Sequence, residues 1–239
     1  MKTSGGSDAA KRRAGESAVE AVDDGDVVGL GTGSTAAHAI RALGDRIDAG
    51  LDIRGVATSF ASRELALDVG IPLIDLDEAV GPDGQGIDVA IDGADQAVTD
   101  GAVAGGALIK GGGAAHAREK LVDAAADRFL VVVDPSKEVD GLDRSVPVEV
   151  LPSGREVVAR AVREAGGEPT LRRAERKDGP VVTDNGNVVL DCAFGVIPDP
   201  ATLAATLSST PGVVEHGLFV GLADEIHVGT ERGVRVEQL

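Results

Sequence analysis

Strand-like and helix-like segments alternate along the chain up to Asp134, and this alternation limits the possible folds more than any other feature. The apolar segments are "DVVGLGTG", "IRGVATS", "IPLIDL", "IDVAIDGAD" and "RFLVVVD", and helical patterns separate most of them. Strands joined through helices run parallel, and continuously apolar strands belong in a sheet covered on both faces. The pattern therefore predicts an α/β fold with a Rossmann-like, doubly wound, mainly parallel sheet.

A different pattern follows Asp134 and predicts a second, smaller α+β domain. Strand, helix, strand, strand, helix and strand patterns succeed one another, which is the order of a split βαβ, ferredoxin-like unit. Within it, "VVTDNGNVVLDC" places Asn-Gly between two strand-like runs, a strong hairpin signal. The final segment, "DEIHVGTERGVRVEQL", can return to the large sheet. We expect a large α/β domain of residues 1–142 plus 219–239 and a small α+β domain of residues 143–218.

The net charge of -17 bears on possible partners and on the environment of the protein. Nucleic-acid binding needs a basic face, so we expect no nucleic-acid partner. Lysine is scarce and aromatic residues make up 2% of the chain, which is typical of a halophilic protein whose carboxylates are screened by salt. No apolar segment is long enough for a membrane span, no signal-like core begins the chain, and Cys192 is the single cysteine. These features predict a soluble, cytoplasmic protein.

The loop "GLGTGST" follows the first predicted strand, where a doubly wound sheet binds ligands. Its glycines let the backbone approach a ligand, and the following helix offers backbone N–H groups and a partial positive charge. Thr32, Ser34 and Thr35 add hydroxyl donors. The loop is neither the G-x-G-x-x-G motif nor a P-loop. It predicts a phosphate site, and the alternative is a tight turn before a capped helix.

The motif "DGAD" places Asp92 and Asp95 at the end of an apolar strand. Two carboxylates on one turn repel each other, which favours one of them holding a proton or binding a sugar hydroxyl. A divalent metal ion is the alternative, although no further ligand stands at matching spacing. His38 and His116 fall on helices whose polar faces could be solvated.

The segment "GALIKGGGAAHAREK" places Lys110 before a run of glycines and Glu119 early in the next helix. Glycine loses the most conformational entropy on folding, so the run indicates a geometric need, such as backbone N–H groups turned toward a ligand. The helix dipole favours an ionised Glu119, which suits a base, whereas a solvated surface charge is the simpler interpretation of Glu119 alone. Lys137 in "DPSK" follows the most β-branched segment, where a lone lysine is usually at the surface.

Together, "GTGST", "DGAD", "KGGGAA" with "REK", and "VVTDNGNVVLD" resemble type A ribose-5-phosphate isomerase from Lys11 to the last strand. The resemblance implies an aldose-ketose isomerase of the non-oxidative pentose phosphate pathway. It implies that D-ribose 5-phosphate and D-ribulose 5-phosphate are interconverted through an enediolate, without cofactor or metal. Glu119 would be the base, Asp92 would open the ring or shuttle hydroxyl protons, and Lys110 would stabilise the oxyanion. The implied substrate-binding residues are Thr32, Gly33, Ser34, Thr35, Asp92, Gly93, Ala94, Asp95, Lys110, Gly111, Gly112, Gly113, Lys137 and Lys11.

The sequence departs from the family pattern at Gln96, where the family usually has Glu, and in a longer "QAVTDGAVAGGALI". We expect Gln96 to be peripheral and the longer segment to be a surface excursion. A glucosamine-6-phosphate isomerase-deaminase is one alternative and would need His116 as its catalytic histidine. A non-catalytic sugar-phosphate-binding regulator is another, although this acidic chain leaves little room for a DNA-binding module. A homodimer or homotetramer is the expected assembly.

Overall fold

The computed structural model describes residues 6–99, 106–176 and 178–239, and these separate into two compact units. The described part of the first unit is residues 6–94, 118–138 and 222–239, and we call it the parallel-sheet unit. The second contains described residues from 95–117 and 139–221, and we call it the antiparallel unit.

The secondary structure follows the predicted alternation. The helices are α1 (Asp8–Val19), α2 (Ser34–Asp48), α3 (Phe60–Asp68), α4 (Leu76–Val80), α5 (His116–Ala125), α6 (Arg155–Glu164) and α7 (Pro200–Ser208). The strands are β1 (Val27–Leu30), β2 (Arg54–Ala57), β3 (Ile87–Gly93), β4 (Gln96–Val98), β5 (Ala107–Ile109), β6 (Ala126–Val133), β7 (Val146–Val150), β8 (Glu168–Leu171), β9 (Val188–Ala193), β10 (Val213–His216), β11 (Leu218–Val220), β12 (Glu225–Gly229) and β13 (Val234–Gln238). Short 3-10 turns cover Pro135–Lys137 and Pro152–Gly154.

The parallel-sheet unit is built on a six-stranded sheet in the order β13-β12-β6-β3-β1-β2. All neighbours in it run parallel except β12 and β13, so the C-terminal segment does return to the large sheet. β1 is buried along its whole length, as expected of a strand covered on both faces. Side chains of α1, α2 and the central strands form one apolar core around it. The predicted mainly parallel α/β fold is confirmed.

The antiparallel unit contains a four-stranded sheet in the order β10-β7-β9-β8. Its neighbours all run antiparallel, and α6 and α7 connect strands as in a split βαβ unit, so the ferredoxin-like prediction is confirmed. A three-stranded sheet, β11-β5-β4, completes this unit. The sequence assigns residues 95–117 to the large domain. In the structure they belong to the antiparallel unit, because β5 pairs with β11.

Two predicted strands differ in detail. In "IPLIDL" only Leu73 forms a bridge, to Gly55, because Pro72 has no N–H to continue a ladder. The segment "GVVEHGLFV" is divided at Gly217 into β10 and β11, which belong to different sheets. Among the helices of the described residues, none is long and apolar enough to cross a membrane.

Candidate active site

Asp92 lies at the carboxyl end of β3 and is fully buried. Its Oδ1 accepts hydrogen bonds from the backbone N–H groups of Thr32, at 2.9 Å, and Gly93, at 2.6 Å. Gly31 makes this approach possible, because a Cβ atom on it would lie 2.2 Å from Asp92 Cγ. In the turn after β1, Gly31 therefore leaves space for the Asp92 carboxylate, and the Thr32 N–H orients it.

Thr32 also joins a small hydroxyl cluster that the sequence interpretation missed. Its Oγ1 lies 2.9 Å from Thr58 Oγ1 and 2.7 Å from Ser59 Oγ. Both partners are buried and follow β2 directly, and Ser59 also caps α3. The sequence carries a signal for this cluster, since Thr58 and Ser59 follow a strand-like run, as the hydroxyl residues of "GLGTGST" do.

The start of α2 is open to an anion. Gly33 is the N-cap residue, with a φ of 120°, and it makes no side-chain cap hydrogen bond. The first N–H groups of a helix lack intrahelical acceptors, so an uncapped start leaves them to solvent or a ligand. Exposed Ser34 and buried Thr35 are the first two residues of the helix.

Glu119 and Lys137 are both buried, with 4% and 7% exposure, so the surface interpretations of these residues are wrong. Glu119 lies in the first turn of α5, near the positive end of the helix dipole. Lys137 ends the 3-10 turn that follows β6, and its backbone N–H donates to the Asp134 carbonyl at 3.0 Å. Lys11 lies in the first turn of α1 and is partly exposed. These residues, like Asp92 and Thr32, belong to the parallel-sheet unit.

Lys110 follows β5 in the antiparallel unit and is only 2% exposed. Its ammonium group lies 5.2 Å from the centre of the Phe219 ring, a cation-π distance. Its backbone N–H donates to the Gly217 carbonyl at 2.9 Å. A Cβ atom on Gly217 would lie 2.2 Å from the Lys110 carbonyl oxygen, so the two backbones touch because Gly217 has no side chain.

The run Gly111–Gly113 forms the bend that the sequence predicts. Gly111 has a φ of 100°, and its carbonyl accepts from the Ala114 N–H at 3.0 Å. Gly112 N–H donates to Asp95 Oδ2 at 2.7 Å. Asp95 thus serves the glycine bend within the antiparallel unit, whereas Asp92 serves the turn after β1 in the other unit. The unit boundary falls between Ala94 and Asp95, so one motif supplies a carboxylate to each unit.

The departure at Gln96 has a local explanation. Gln96 is 4% exposed, and its Nε2 donates to Asp143 Oδ1 at 2.6 Å. Its Oε1 accepts from the backbone N–H groups of Asp143, at 3.0 Å, and Arg144, at 2.9 Å. An amide provides both donor and acceptor there, which a carboxylate would not. The two ends of the longer segment form the buried strands β4 and β5. Residues 100–105 between them, part of the predicted surface excursion, lie outside the described residues.

His38 and His116, the histidines on predicted helices, differ in exposure: His38 is partly buried and His116 is buried. His116 is buried rather than solvated, and its Nε2 lies 3.4 Å from the Glu215 carbonyl oxygen. His38 Nε2 lies 3.0 Å from Asp8 Oδ1. Within residues 6–99, 106–176 and 178–239, no group of three or more His, Cys, Asp or Glu side chains is arranged to hold a metal ion.

Comparisons with known proteins agree with these motifs. The family model described as ribose 5-phosphate isomerase A (phosphoriboisomerase A) matches residues 54–233. A ribose-5-phosphate isomerase A from Halorubrum lacusprofundi is 81% identical over 99% of both chains. A ribose-5-phosphate isomerase A from Haloarcula marismortui is 68% identical over 98% of both. The halophilic sources of these relatives fit the acidic composition.

A solved structure also matches along nearly the whole chain. The ribose 5-phosphate isomerase A of Methanocaldococcus jannaschii superposes with a TM-score of 0.89 at 45% identity, covering 96% of this chain and 98% of its own. The full-length identities, the family model and this superposition agree on a single assignment. The chain belongs to the ribose 5-phosphate isomerase A family.

Proposed function

We propose that this chain interconverts D-ribose 5-phosphate and D-ribulose 5-phosphate in the pentose phosphate pathway, with Glu119, Asp92 and Lys110 as its catalytic residues. The observation that supports these residues most directly is their burial, since none is more than 4% exposed. Burying ionisable groups costs free energy, and such groups concentrate where a reaction uses them. No cofactor or metal ion is required in this proposal.

Glu119 is proposed as the base that carries a proton between C2 and C1. Its position in the first turn of α5 favours the carboxylate, the form that removes a proton. A positioned base contributes about 10² to 10⁴ in rate. The enediolate would form when Glu119 takes the proton from one carbon, and the product would form when it returns the proton to the other.

Asp92 is proposed to move protons on the sugar oxygens during ring opening. Its Oδ1 is fixed by the Thr32 and Gly93 N–H groups, which hold the carboxyl group in one orientation. A fixed carboxyl group exchanges protons with a bound hydroxyl without first reorganising. Asp95, whose Oδ2 accepts a hydrogen bond from the Gly112 N–H, is proposed as a further substrate-binding residue.

Lys110 is proposed to stabilise the negative oxygen of the enediolate. Its ammonium group is buried against Phe219, where water screens charge poorly, so a positive charge acts more strongly on an anion. The peptide N–H groups of Gly111 and Gly113 would add donors.

The substrate phosphate is proposed to bind at the uncapped start of α2. Gly33, Ser34 and Thr35 offer backbone N–H groups there, and Ser34 and Thr35 add hydroxyls. Lys137 and Lys11 would supply positive charge to the same anion. A symmetric homodimer or homotetramer in the cytoplasm remains our prediction for the assembly and location.

The test is isomerase activity in molar KCl, with and without chelator, for the wild type, Glu119→Gln and Glu156→Gln. Glu156 is the matched control because it also lies in the first turn of a helix, α6, but is exposed. We expect Glu119→Gln to lose at least about 10² in kcat, and Glu156→Gln and chelator to have no effect. Full activity in Glu119→Gln would exclude it as the base. Loss of wild-type activity with chelator would instead implicate a metal ion at Asp92 or Asp95.

A further inference from the structure

Arg172 follows β8 and connects two parts of the antiparallel unit. Its Nε donates to Asp191 Oδ2 at 2.9 Å and its Nη2 to Asp191 Oδ1, a bidentate pair between the segments of β8 and β9. Its Nη1 donates to the carbonyl oxygens of Gly111, at 2.9 Å, and Gly112, at 3.3 Å. We propose that Arg172, oriented by Asp191, is a positioning residue that fixes the peptide groups of the glycine bend for the isomerisation.

Peptide geometry explains how one guanidinium group could do this. A trans peptide group is planar, so its C=O and the following N–H point in opposite directions, and none of the peptide bonds described is cis. With the Gly111 carbonyl turned to Arg172, the Gly112 N–H turns away and meets Asp95. With the Gly112 carbonyl also directed to Arg172, the Gly113 N–H points away from Arg172. The bend is therefore held on two sides, by a cation at its carbonyls and a carboxylate at one N–H.

The bend needs such support because glycine backbones have the widest range of conformations. Its three glycines carry no side chains that could pack and hold their peptide planes. Lys110, directly before the bend, is fixed at its N–H by Gly217, but the peptide groups after it depend on Arg172, Asp95 and the Ala114 turn. The Arg172 side chain is 10% exposed, so its contacts are largely shielded from competing water. Loss of Arg172 would leave the two carbonyl groups without their cation.

Asp191 fixes the direction of the guanidinium plane. A bidentate pair uses two of the five guanidinium N–H donors on one carboxylate and leaves Nη1 for the loop. Lysine at position 172 would supply charge but not this fork. If positive charge alone held the bend, Arg172→Lys would keep its isomerase activity. We expect this variant to lose activity, because lysine keeps the charge but lacks the fork.

The role rests on the proposed function, because it matters only if the glycine bend takes part in the isomerisation. The variants are Arg172→Ala, Arg172→Lys and Asp191→Asn, and Arg128→Ala is the control. Arg128 also pairs with a carboxylate on a neighbouring strand, Glu225, but in the parallel-sheet unit. We expect the Arg172 variants to lose about 10² in kcat, the cost of a misplacement of about 1 Å. We expect Asp191→Asn to lose less, and the control to stay near wild type.

Guanidinium rescue separates positioning from general stability. Millimolar guanidinium should restore part of the kcat of Arg172→Ala, while the same concentration of tetramethylammonium should not. Hydrogen exchange should quicken at Gly112 and Gly113 in this variant, with β9 unchanged. Unaltered kcat in folded Arg172→Ala, or equal effects of both cations, would overturn the inference. If Glu119→Gln is inactive while Arg172→Ala is fully active, the positioning role fails and the proposed function stands; an inactive wild type would remove both.

If Arg172→Ala does not fold, Arg172→Lys and Asp191→Asn carry the test. Circular dichroism shows whether Arg172→Lys folds, since a folded variant has the spectrum of the wild type. A loss of kcat in folded Arg172→Lys supports the role of the fork. Wild-type kcat in both variants would refute it.

Discussion

Replacing Gly31 with alanine tests whether the fit between the turn after β1 and the Asp92 carboxyl group is as tight as the structure has it. The new methyl carbon would lie 2.2 Å from both Cγ and Oδ1 of Asp92. Non-bonded carbon atoms settle about 3.5 to 4.0 Å apart, so the carboxyl group would have to retreat by more than about 1 Å.

That retreat would break the hydrogen bonds from the Thr32 and Gly93 N–H groups to Oδ1. Bonds to a charged acceptor contribute about 1.5 to 3 kcal/mol each, so we expect Gly31→Ala to lower the free energy of unfolding by at least about 3 kcal/mol. We expect kcat to fall on the order of 10²-fold, because the Asp92 carboxyl group would be displaced from its position next to the substrate.

The assay is urea denaturation in molar KCl followed by far-ultraviolet circular dichroism, since the chain has no Trp or Tyr to report by fluorescence. Gly233→Ala is the matched control, because a Cβ atom there meets nothing within 4 Å and its φ is not in the left-handed region. It should change stability by less than about 0.5 kcal/mol. In an Asp92→Gly background the methyl group of Gly31→Ala has room, and its cost should shrink. A cost that is small in the wild type, or unchanged in that background, would refute the steric explanation.

Three further predictions concern single residues and salt. Burial raises the pKa of the Cys192 thiol to about 12, so its alkylation at about pH 8 should be on the order of 10³ slower than that of an ordinary cysteine, and should become fast only in urea. Burial lowers the pKa of His227, against the opposing effect of Glu225; the stability this gives is present above the unfolded pKa of about 6.5 and is lost as the pH falls through the folded pKa. His227→Gln should flatten that part of the pH profile of the urea midpoint, whereas an unchanged slope would exclude His227 as its cause. Molar KCl should raise the melting temperature by screening the acidic surface, and an unchanged or lower value would contradict the halophilic assignment.

The sheet and the glycine-rich turns at its strand ends could be predicted because local patterns determine them. Apolar strands such as β1, and β6 from Phe129 onward, need cover on both faces, and this requirement is visible in the sequence as the apolar runs VVGL and FLVVV. The glycine bend was predictable because three consecutive glycines cost conformational entropy on folding, and a sharp bend of the backbone explains that cost. Both features depend on residues that are neighbours along the chain.

The contacts that the sequence did not reveal depend on residues far apart along the chain. Nothing local in "LRR" shows that Arg172 would reach carbonyl groups at positions 111 and 112. The burial of Lys137 depends on what packs over it, and a lone lysine after a strand carries no sign of that. The sequence also predicts Ser153 as the N-cap of a helix, because Glu156 stands three residues further on. The structure has Gly154 as the N-cap of α6 instead, because the 3-10 turn Pro152–Gly154 precedes the helix.

Gly217 shows how a residue without a side chain can be as constrained as a catalytic one. Its carbonyl holds the Lys110 N–H, and any Cβ atom on it would overlap the Lys110 carbonyl oxygen. In a saturation library selected for isomerase growth complementation, position 217 should therefore admit glycine alone, as strictly as position 110 admits lysine. Intolerance to substitution at position 217 would arise because the Lys110 carbonyl oxygen occupies the space that a side chain would need. Without the structure, the same intolerance could be mistaken for evidence that residue 217 takes part in the chemistry.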